Sequence, residues 1–279
     1  MNTPILYLGP EGTHSHEAAI RRFGQKAKLL PCLSHHEIFS RLVTARGANR
    51  PQAVVPVENS SEGPVTQTLD QLANHPTVGI MDSFSLPVPQ HLMARRGTAL
   101  ADIRRVCSHP QVLGQCRENL ARLLPRAELV PESSTAVAAG RAAQEPGTAA
   151  LASAAAARIQ RLTILQKNLQ DSPENTTRFF TLTTGKVPQA AGKSTRLRSL
   201  IYLVIGNRPG ALLHVLAPFD AAEINLTFIQ SRPLPGRPWE YGFFIEAATD
   251  WSSDSAQAAW QLVRALSESG RKIGTYPAK

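Results

Sequence analysis

Short apolar runs alternating with helical patterns through the first 185 or so residues constrain the fold of this chain more than any other feature. That rhythm is the signature of βαβ units, in which helices join strands that pair into largely parallel sheets. The runs Ile5 to Leu8, Ala53 to Val57, Val78 to Phe84, Arg105 to Ser108, Ala149 to Leu151 and Phe179 to Thr183 are predicted strands. Between them, Glu17 to Phe23, Glu37 to Val43, Val65 to Leu72, Val112 to Leu124 and Thr135 to Ala143 carry helical spacing. In the third, Val65, Leu69 and Leu72 share a face, and Pro64 stands where a first helical turn tolerates proline. The alanine-rich stretch from Ala136 to Ala157 is read as two small helices around a strand at Leu151. Glu145-Pro146-Gly147 breaks the first pattern, and Ser153 can cap the second helix.

The pattern changes after Thr184. Gly185, Pro188, Ala190, Ala191, Gly192, Lys193 and Ser194 make a polar linker. Beyond it come strand Ser199 to Gly206, helix Ala211 to Ala222, strand Ile224 to Gln230, a Pro/Gly hairpin at Pro233 to Pro238, strand Glu240 to Ala247, helix Ala256 to Ser267 and a strand near Lys272 to Thr275. That order, βαββαβ, predicts a ferredoxin-like split βαβ domain.

A length of 279 residues suggests two domains at roughly 150 residues each. Basic residues exceed acidic ones by nine but are scattered, as Arg21-Arg22, Arg95-Arg96, Arg104-Arg105, Arg196 and Arg198. Without a focused patch or a helix-turn-helix pattern, nucleic acid is not the expected partner, and an acidic small molecule is. Cys32, Cys107 and Cys116 form neither a disulfide framework nor the paired spacing of a zinc site, which suits a reducing compartment. The eight histidines include no His-Glu-x-x-His, so no metal is expected, and no Gly-x-Ser-x-Gly elbow suggests a serine hydrolase. The opening apolar run, four residues long, is too short for a signal peptide or a membrane span, and the cytoplasm is the expected location.

Three loops at the ends of predicted strands carry candidate chemistry. Gly9-Pro10-Glu11-Gly12-Thr13-His14-Ser15 is a Gly-rich turn into a helix, where backbone N–H groups and hydroxyls suit a carboxylate or phosphate. It lacks the Walker ending and the dinucleotide spacing, and a plain turn with Ser15 as N-cap is the alternative. Pro56-Val57-Glu58-Asn59-Ser60-Ser61-Glu62-Gly63-Pro64 follows the second strand, and Glu58 in a partly dry site could donate a proton. Ser108-His109-Pro110-Gln111 adds a histidine, a residue type used for proton transfer at physiological pH. The run Asn175-Thr176-Thr177-Arg178-Phe179 offers an amide, a hydroxyl and a guanidinium fork matched to a carboxylate, although alone it reads equally as a strand edge.

Taken in order, Gly9 to Thr13, Pro56 to Ser60 with Thr68-Leu69-Asp70, Ser108 to Gln111, Ser134-Thr135-Ala136 and Asn175 to Phe179 resemble the motifs of prephenate dehydratase along nearly the whole chain. The resemblance implies an α/β catalytic region, 1–184, of two lobes similar to type II periplasmic binding proteins with an interlobe cleft. Lobe one would take about 1–77 and 166–184, lobe two about 78–165, followed by a linker at 185–196 and an ACT regulatory domain at 197–279. It implies Thr177, Arg178 and Glu58 as catalytic residues, with Thr177 central; Glu58 and His109 are the candidates for the proton source, and the sequence does not choose between them. Thr13, Ser15, Asn59, Ser60, Ser108, His109, Gln111, Asn175 and Phe179 would bind substrate, and neither cofactor nor metal would be needed.

Phenylalanine would bind at Asn207, Pro209, Gly210, Ala211 and Leu212 and at Gln230, Ser231, Arg232 and Pro233. Gln230 replaces a glutamate common in the family, and His14 replaces an aromatic residue. Homo-oligomers formed by edge pairing of ACT domains are expected, and no chorismate mutase domain, since the first strand starts at Ile5. Arogenate dehydratase and a non-catalytic amino-acid sensor or solute-binding module are the competing readings.

Overall fold

The computed structural model describes residues 3–47, 49–172, 174–184 and 197–277, and the expected linker at 185–196 lies outside them. The chain divides into two units, one of Met1–Ile38, Glu58–Gly63 and Ser85–Thr177, the other of Phe39–Val57, Pro64–Phe84 and Arg178–Lys279. Among the described residues no helix is long and apolar enough to cross a membrane.

In the first unit, Ile5–Leu8 pairs in parallel with Leu29–Cys32. A five-stranded sheet follows the order Thr163–Gln166, His91–Ala94, Thr148–Ala152, Arg105–Ser108, Glu128–Pro131. Its last three strands are parallel, and the first two join antiparallel. Side chains alternate across it. Leu92, Ala94, Val106, Ala149 and Leu151 meet Val112, Leu113, Cys116 and Leu120 on one face. Met93, Cys107, Ala150 and Ala152 meet the alanine-rich helices Thr135–Gln144 and Ala154–Ile159 on the other. With both faces covered, these strands read as apolar runs rather than as an alternation.

Alanine suits this packing because it has no γ atoms to hold the helices away. Ser153 caps the second helix by accepting from Ala156 N (3.1 Å) and donates to the Gly12 carbonyl (2.7 Å). A Cβ on Gly12 would lie 3.2 Å from Ala156 Cα, so the close approach and the positive φ of 90° both call for glycine there.

Besides the two-residue strand Gly63–Pro64, where a first helical turn was expected, the strands Leu29–Cys32, His91–Ala94, Glu128–Pro131 and Thr163–Gln166 were not legible in the sequence. Of these four, each has four residues, three lie at sheet edges, and two contain proline, so neither length nor propensity marks them. The helix predicted over Val112 to Leu124 is two, Pro110–Gln115 and Arg117–Leu123, broken at Cys116 (φ −115°, ψ 11°).

The strands that supply most of their residues to the second unit run in the order Gln52–Asn59, Thr176–Thr184, Val78–Pro87. The lobe boundary was expected after residue 77. Val78–Pro87 belongs beside Thr176–Thr184, and the chain leaves this sheet only after Pro87. The last strand also begins at Thr176 rather than Phe179, so Thr177 and Arg178 lie within a pleated strand and point to opposite faces.

The C-terminal elements are Leu197–Val204, Ala211–Ala221, Leu226–Leu234, Arg237–Ala247, Asp254–Leu266 and Ser269–Pro277. Their sheet is antiparallel, in the order Leu226–Leu234, Arg237–Ala247, Leu197–Val204, Ser269–Pro277, which is the ferredoxin-like arrangement. One face packs Ile201, Leu203 and Ile245 on Val215, Phe219, Trp260 and Val263 of the two helices. The other face meets the strands of the same unit. Tyr276 packs on Phe180 with centroids 5.2 Å apart, and a Cβ on Gly274 would lie 2.7 Å from the Ile80 carbonyl.

On that second face, Glu246 is fully buried and accepts from Arg178 Nη1 (2.6 Å), Arg198 Nη1 (3.0 Å), Thr227 Oγ1 (2.5 Å) and Tyr276 Oη (2.7 Å). Burial pushes its carboxyl pKa up, but Arg178, the hydroxyls of Thr227 and Tyr276, and Arg198 outweigh burial, and the net shift is downward. Burial and the neighbouring carboxylate push the Tyr276 phenol well above its ordinary value, so it remains a donor. Removing one partner of such a pair leaves a buried charge uncompensated, at a cost of about 3–5 kcal/mol.

Glu246→Gln should therefore be destabilised by about that amount at neutral pH in urea titrations. A depressed folded-state pKa stabilises fully above the ordinary value of 4.5 and loses that contribution as pH falls through the folded value. The gap between wild type and Glu246→Gln should thus narrow below about pH 4.5. A gap constant down to the acid limit would show that Glu246 is not the ionised hub.

Candidate active site

The loop after Gln52–Asn59 and the start of Thr176–Thr184 are stapled by backbone and side chain. Ser60 N donates to Thr176 O (2.9 Å), Thr176 N to Ser60 Oγ (3.0 Å), and Ser60 Oγ to Glu174 O (2.9 Å). This fixes Asn59 against Asn175 and Thr177. Asn59 Nδ2 donates to Asn175 Oδ1 (2.7 Å) and Thr177 Oγ1 (2.9 Å), while its Oδ1 accepts from Ser61 N (2.9 Å) and Glu62 N (3.1 Å).

The chain of amides has one direction. The Glu62 carboxylate accepts from Gln115 Nε2 (2.7 Å), Gln115 Oε1 accepts from Asn175 Nδ2 (3.1 Å), and Asn175 Oδ1 accepts from Asn59. An ionised carboxylate can only accept, so it orients every amide behind it. At the far end Thr177 Oγ1 receives a hydrogen, and no described residue accepts its proton. Asn175 and Thr177 are 4% and 9% exposed, so this order is held with little water to compete. The result is a hydroxyl whose lone pair is occupied and whose O–H is left to donate.

The other expected site residues divide by what their polar atoms already do. Thr13, not Ser15, caps the helix His14–Phe23, its hydroxyl accepting from His16 N (3.3 Å) and reaching the Leu8 carbonyl (3.1 Å). Ser15 is buried in the helix's first turn. Ser108 donates to the Leu151 carbonyl (2.7 Å), inside the five-stranded sheet. His109 caps Pro110–Gln115 through Nδ1, and Gln111 is exposed. Glu58 is half-buried and alternates with Asn59 along its strand.

Arg178, expected as a catalytic residue, places its guanidinium on Glu246 and over the rings of Phe180 and Phe228, on the strand face opposite Thr177. Phe179, also buried, stacks on Phe84 at 5.8 Å.

Gln115 and Glu62 escaped the sequence reading because a glutamine on an amphipathic helix and an acid in a turn look like solvated surface. His14 has a physical account as well. Burial holds its pKa down at about 4, and Gln90 Nε2, a donor, lies 3.0 Å from its Nε2. The ring is thus neutral and planar, which suits a position where the resemblance leads to an aromatic residue.

Of the expected effector residues, Asn207, Ala211 and Leu212 line a cavity of about 180 Å³ with Arg208, Trp239, Tyr241 and Phe243. The second segment does not reach it. Gln230 donates to the Ser231 carbonyl, and Arg232 makes a two-pronged pair with Asp70 (2.6 and 2.7 Å), lining a separate cavity with Pro233, Asn74 and Tyr202.

The chain is similar to known proteins over almost its full length. The family model for prephenate dehydratase matches residues 5–187. A bifunctional chorismate mutase/prephenate dehydratase of Stutzerimonas stutzeri is 36% identical over 273 residues, covering 98% of this chain and 73% of the relative. The prephenate dehydratase of Arthrobacter aurescens, solved in complex with L-Phe, superposes with a TM-score of 0.88 at 30% identity, over 99% of this chain and 90% of that one. GqqA, described as a novel type of quorum-quenching acylase, superposes with a TM-score of 0.86 at 26% identity, over 99% and 98%. Fold alone therefore does not select a reaction, and the side chains must. With the match to residues 5–187 and the near-complete alignment to curated relatives, the chain belongs to the prephenate dehydratase family.

Proposed function

We propose that this chain converts prephenate to phenylpyruvate, carbon dioxide and water in phenylalanine biosynthesis. The observation that carries the reading is the oriented hydroxyl of Thr177, whose oxygen accepts from Asn59. In the reaction the bond from the ring to the departing carboxylate breaks and its electron pair becomes a ring double bond. The C–O bond at the opposite ring carbon breaks in the same sense, and hydroxide takes up a proton to become water. Aromatisation drives the step, so the protein must position the dianion and stabilise the leaving oxygen.

Thr177 donates to that oxygen as charge develops on it. An aliphatic hydroxyl is a weak acid, so its contribution is a preorganised hydrogen bond or the relay of a proton from a second group. The retained carboxylate is offered the N–H groups of His14 and Ser15 in the first turn of His14–Phe23, where Thr13 caps His16. Three buried free thiols suit work in the cytoplasm.

Phenylalanine is the proposed effector, held at the cavity of Asn207, Ala211 and Leu212. The outer strand Leu226–Leu234, with Ile229, Ser231 and Pro233 exposed along it, supports pairing with a second copy, which would bring Gln230 and its neighbours to that effector site.

Phenylpyruvate formation from purified protein and prephenate, with arogenate assayed alongside, tests the reading, and absence of product from prephenate overturns it. Thr177→Ala should lower kcat by about 10²-fold or more with unchanged melting, and Thr177→Ser should retain much of the activity. Asn59→Asp is the sharper variant. A carboxylate in place of the amide accepts the Thr177 proton instead of donating to Thr177, and should cost about 10²-fold in turnover although the change is nearly isosteric. Added phenylalanine should inhibit, and Ala211→Leu, which fills the cavity, should abolish that response in the same assay.

A further inference from the structure

Thr177 and Arg178 share one peptide unit, yet they serve opposite faces of the strand Thr176–Thr184. On the N-terminal side, the strand is held by the Ser60–Thr176 pairing. On the C-terminal side, the anchor is Arg178 Nη1, 2.6 Å from Oε2 of Glu246. Glu246 is itself fixed by Arg198, Thr227 and Tyr276, all on strands of the ferredoxin-like domain. A rotation of the pleat that moved the Thr177 hydroxyl would drag a guanidinium only 13% exposed off a carboxylate with no exposure. The same domain grips a second element of its own unit. Arg232 pairs with Asp70 on the helix Thr66–Asn74, and Thr68 of that helix donates to the Pro56 carbonyl (2.7 Å), on the strand that ends in Asn59.

We propose that Arg178 and Glu246 are positioning residues for the dehydration step: the C-terminal domain, through this buried pair, sets the orientation of the Thr177 hydroxyl. The proposal rests on the reading of Thr177 as the hydroxyl that donates to the leaving oxygen. Arg178 then acts without touching substrate, and Glu246 belongs functionally to the catalytic strand although it lies 69 positions beyond Thr177 in the sequence. Changes at the pair should act on turnover more than on substrate affinity, because the groups that bind the carboxylates are left in place.

Arg198 provides the control, because it contacts the same carboxylate from the strand Leu197–Val204 and not from the catalytic strand. Arg178→Gln is expected to lower kcat by about 10-fold or more with KM changed less than about 3-fold, since sub-ångström misplacement of a reacting group is costly. Arg178→Lys should recover part of the loss. Arg198→Gln should keep kcat within about 2-fold while still lowering the melting temperature, which separates positioning from general destabilisation.

Amide hydrogen exchange at 176–179, measured without substrate, should accelerate in Arg178→Gln and not in Arg198→Gln. Should Arg178→Gln fail to fold, Glu246→Asp, which withdraws the carboxylate by one methylene, gives the same comparison. Wild-type turnover with unchanged exchange in Arg178→Gln, or equal kcat losses in Arg178→Gln and Arg198→Gln, would overturn the proposal. Wild-type protein that makes no phenylpyruvate would instead defeat the functional reading, and the exchange measurement would still report on the coupling.

Discussion

Successive residues of a β-strand face opposite ways, and in Thr176–Thr184 that alternation separates two kinds of work. Thr177 joins Asn59 on one face, while Arg178 enters the buried cluster around Glu246 on the other. Neither position could be exchanged with its neighbour without turning the polar network into the wrong face. The buried carboxylate is expensive to desolvate, and its four donors offset that cost only when all are in place. The arrangement therefore tolerates little slack in the strand.

The amide series from Glu62 to Thr177 shows how a protein orients a hydroxyl without a charged group beside it. Each amide carries a donor and an acceptor, so orientation passes along the series from the one residue that cannot donate. The acid lies three residues downstream of Asn59 and also supplies a backbone N–H to it, which makes the arrangement compact. A neutral environment suits a reaction that begins with a dianion and expels hydroxide, because fixed dipoles can stabilise the developing charge without binding the starting material more tightly.

Much of the fold was legible in the residues. The change of rhythm after Thr184 marked the C-terminal βαββαβ, and Ser153 capped its helix as its position suggested. The loops bearing Asn59 and Asn175 were identified as parts of one site, and the structure joins them directly. The direction of Arg178 was less legible. A strand starting at Phe179 leaves Arg178 in a loop where it can face any direction; a strand starting at Thr176 opposes it to Thr177 by the period of two. Glu246 had a signal that went unread, a charge closing the apolar run Phe243-Phe244-Ile245. Gln115 had none, since its partners lie 53 and 60 residues away and only the tertiary fold brings them together.

The pairing of Ser60 with Thr176 has a chemical side as well. Asparagine followed by serine is prone to slow deamidation, in which the nitrogen of the next residue attacks the side-chain amide to form a succinimide. Here that nitrogen, Ser60 N, is engaged with the Thr176 carbonyl at 2.9 Å, and the Asn59 amide is held by five further hydrogen bonds. Cyclisation requires the strand edge to open first. The staple that aligns the site therefore also protects its central amide from chemical ageing, and the working lifetime of the protein is tied to how often that edge frays.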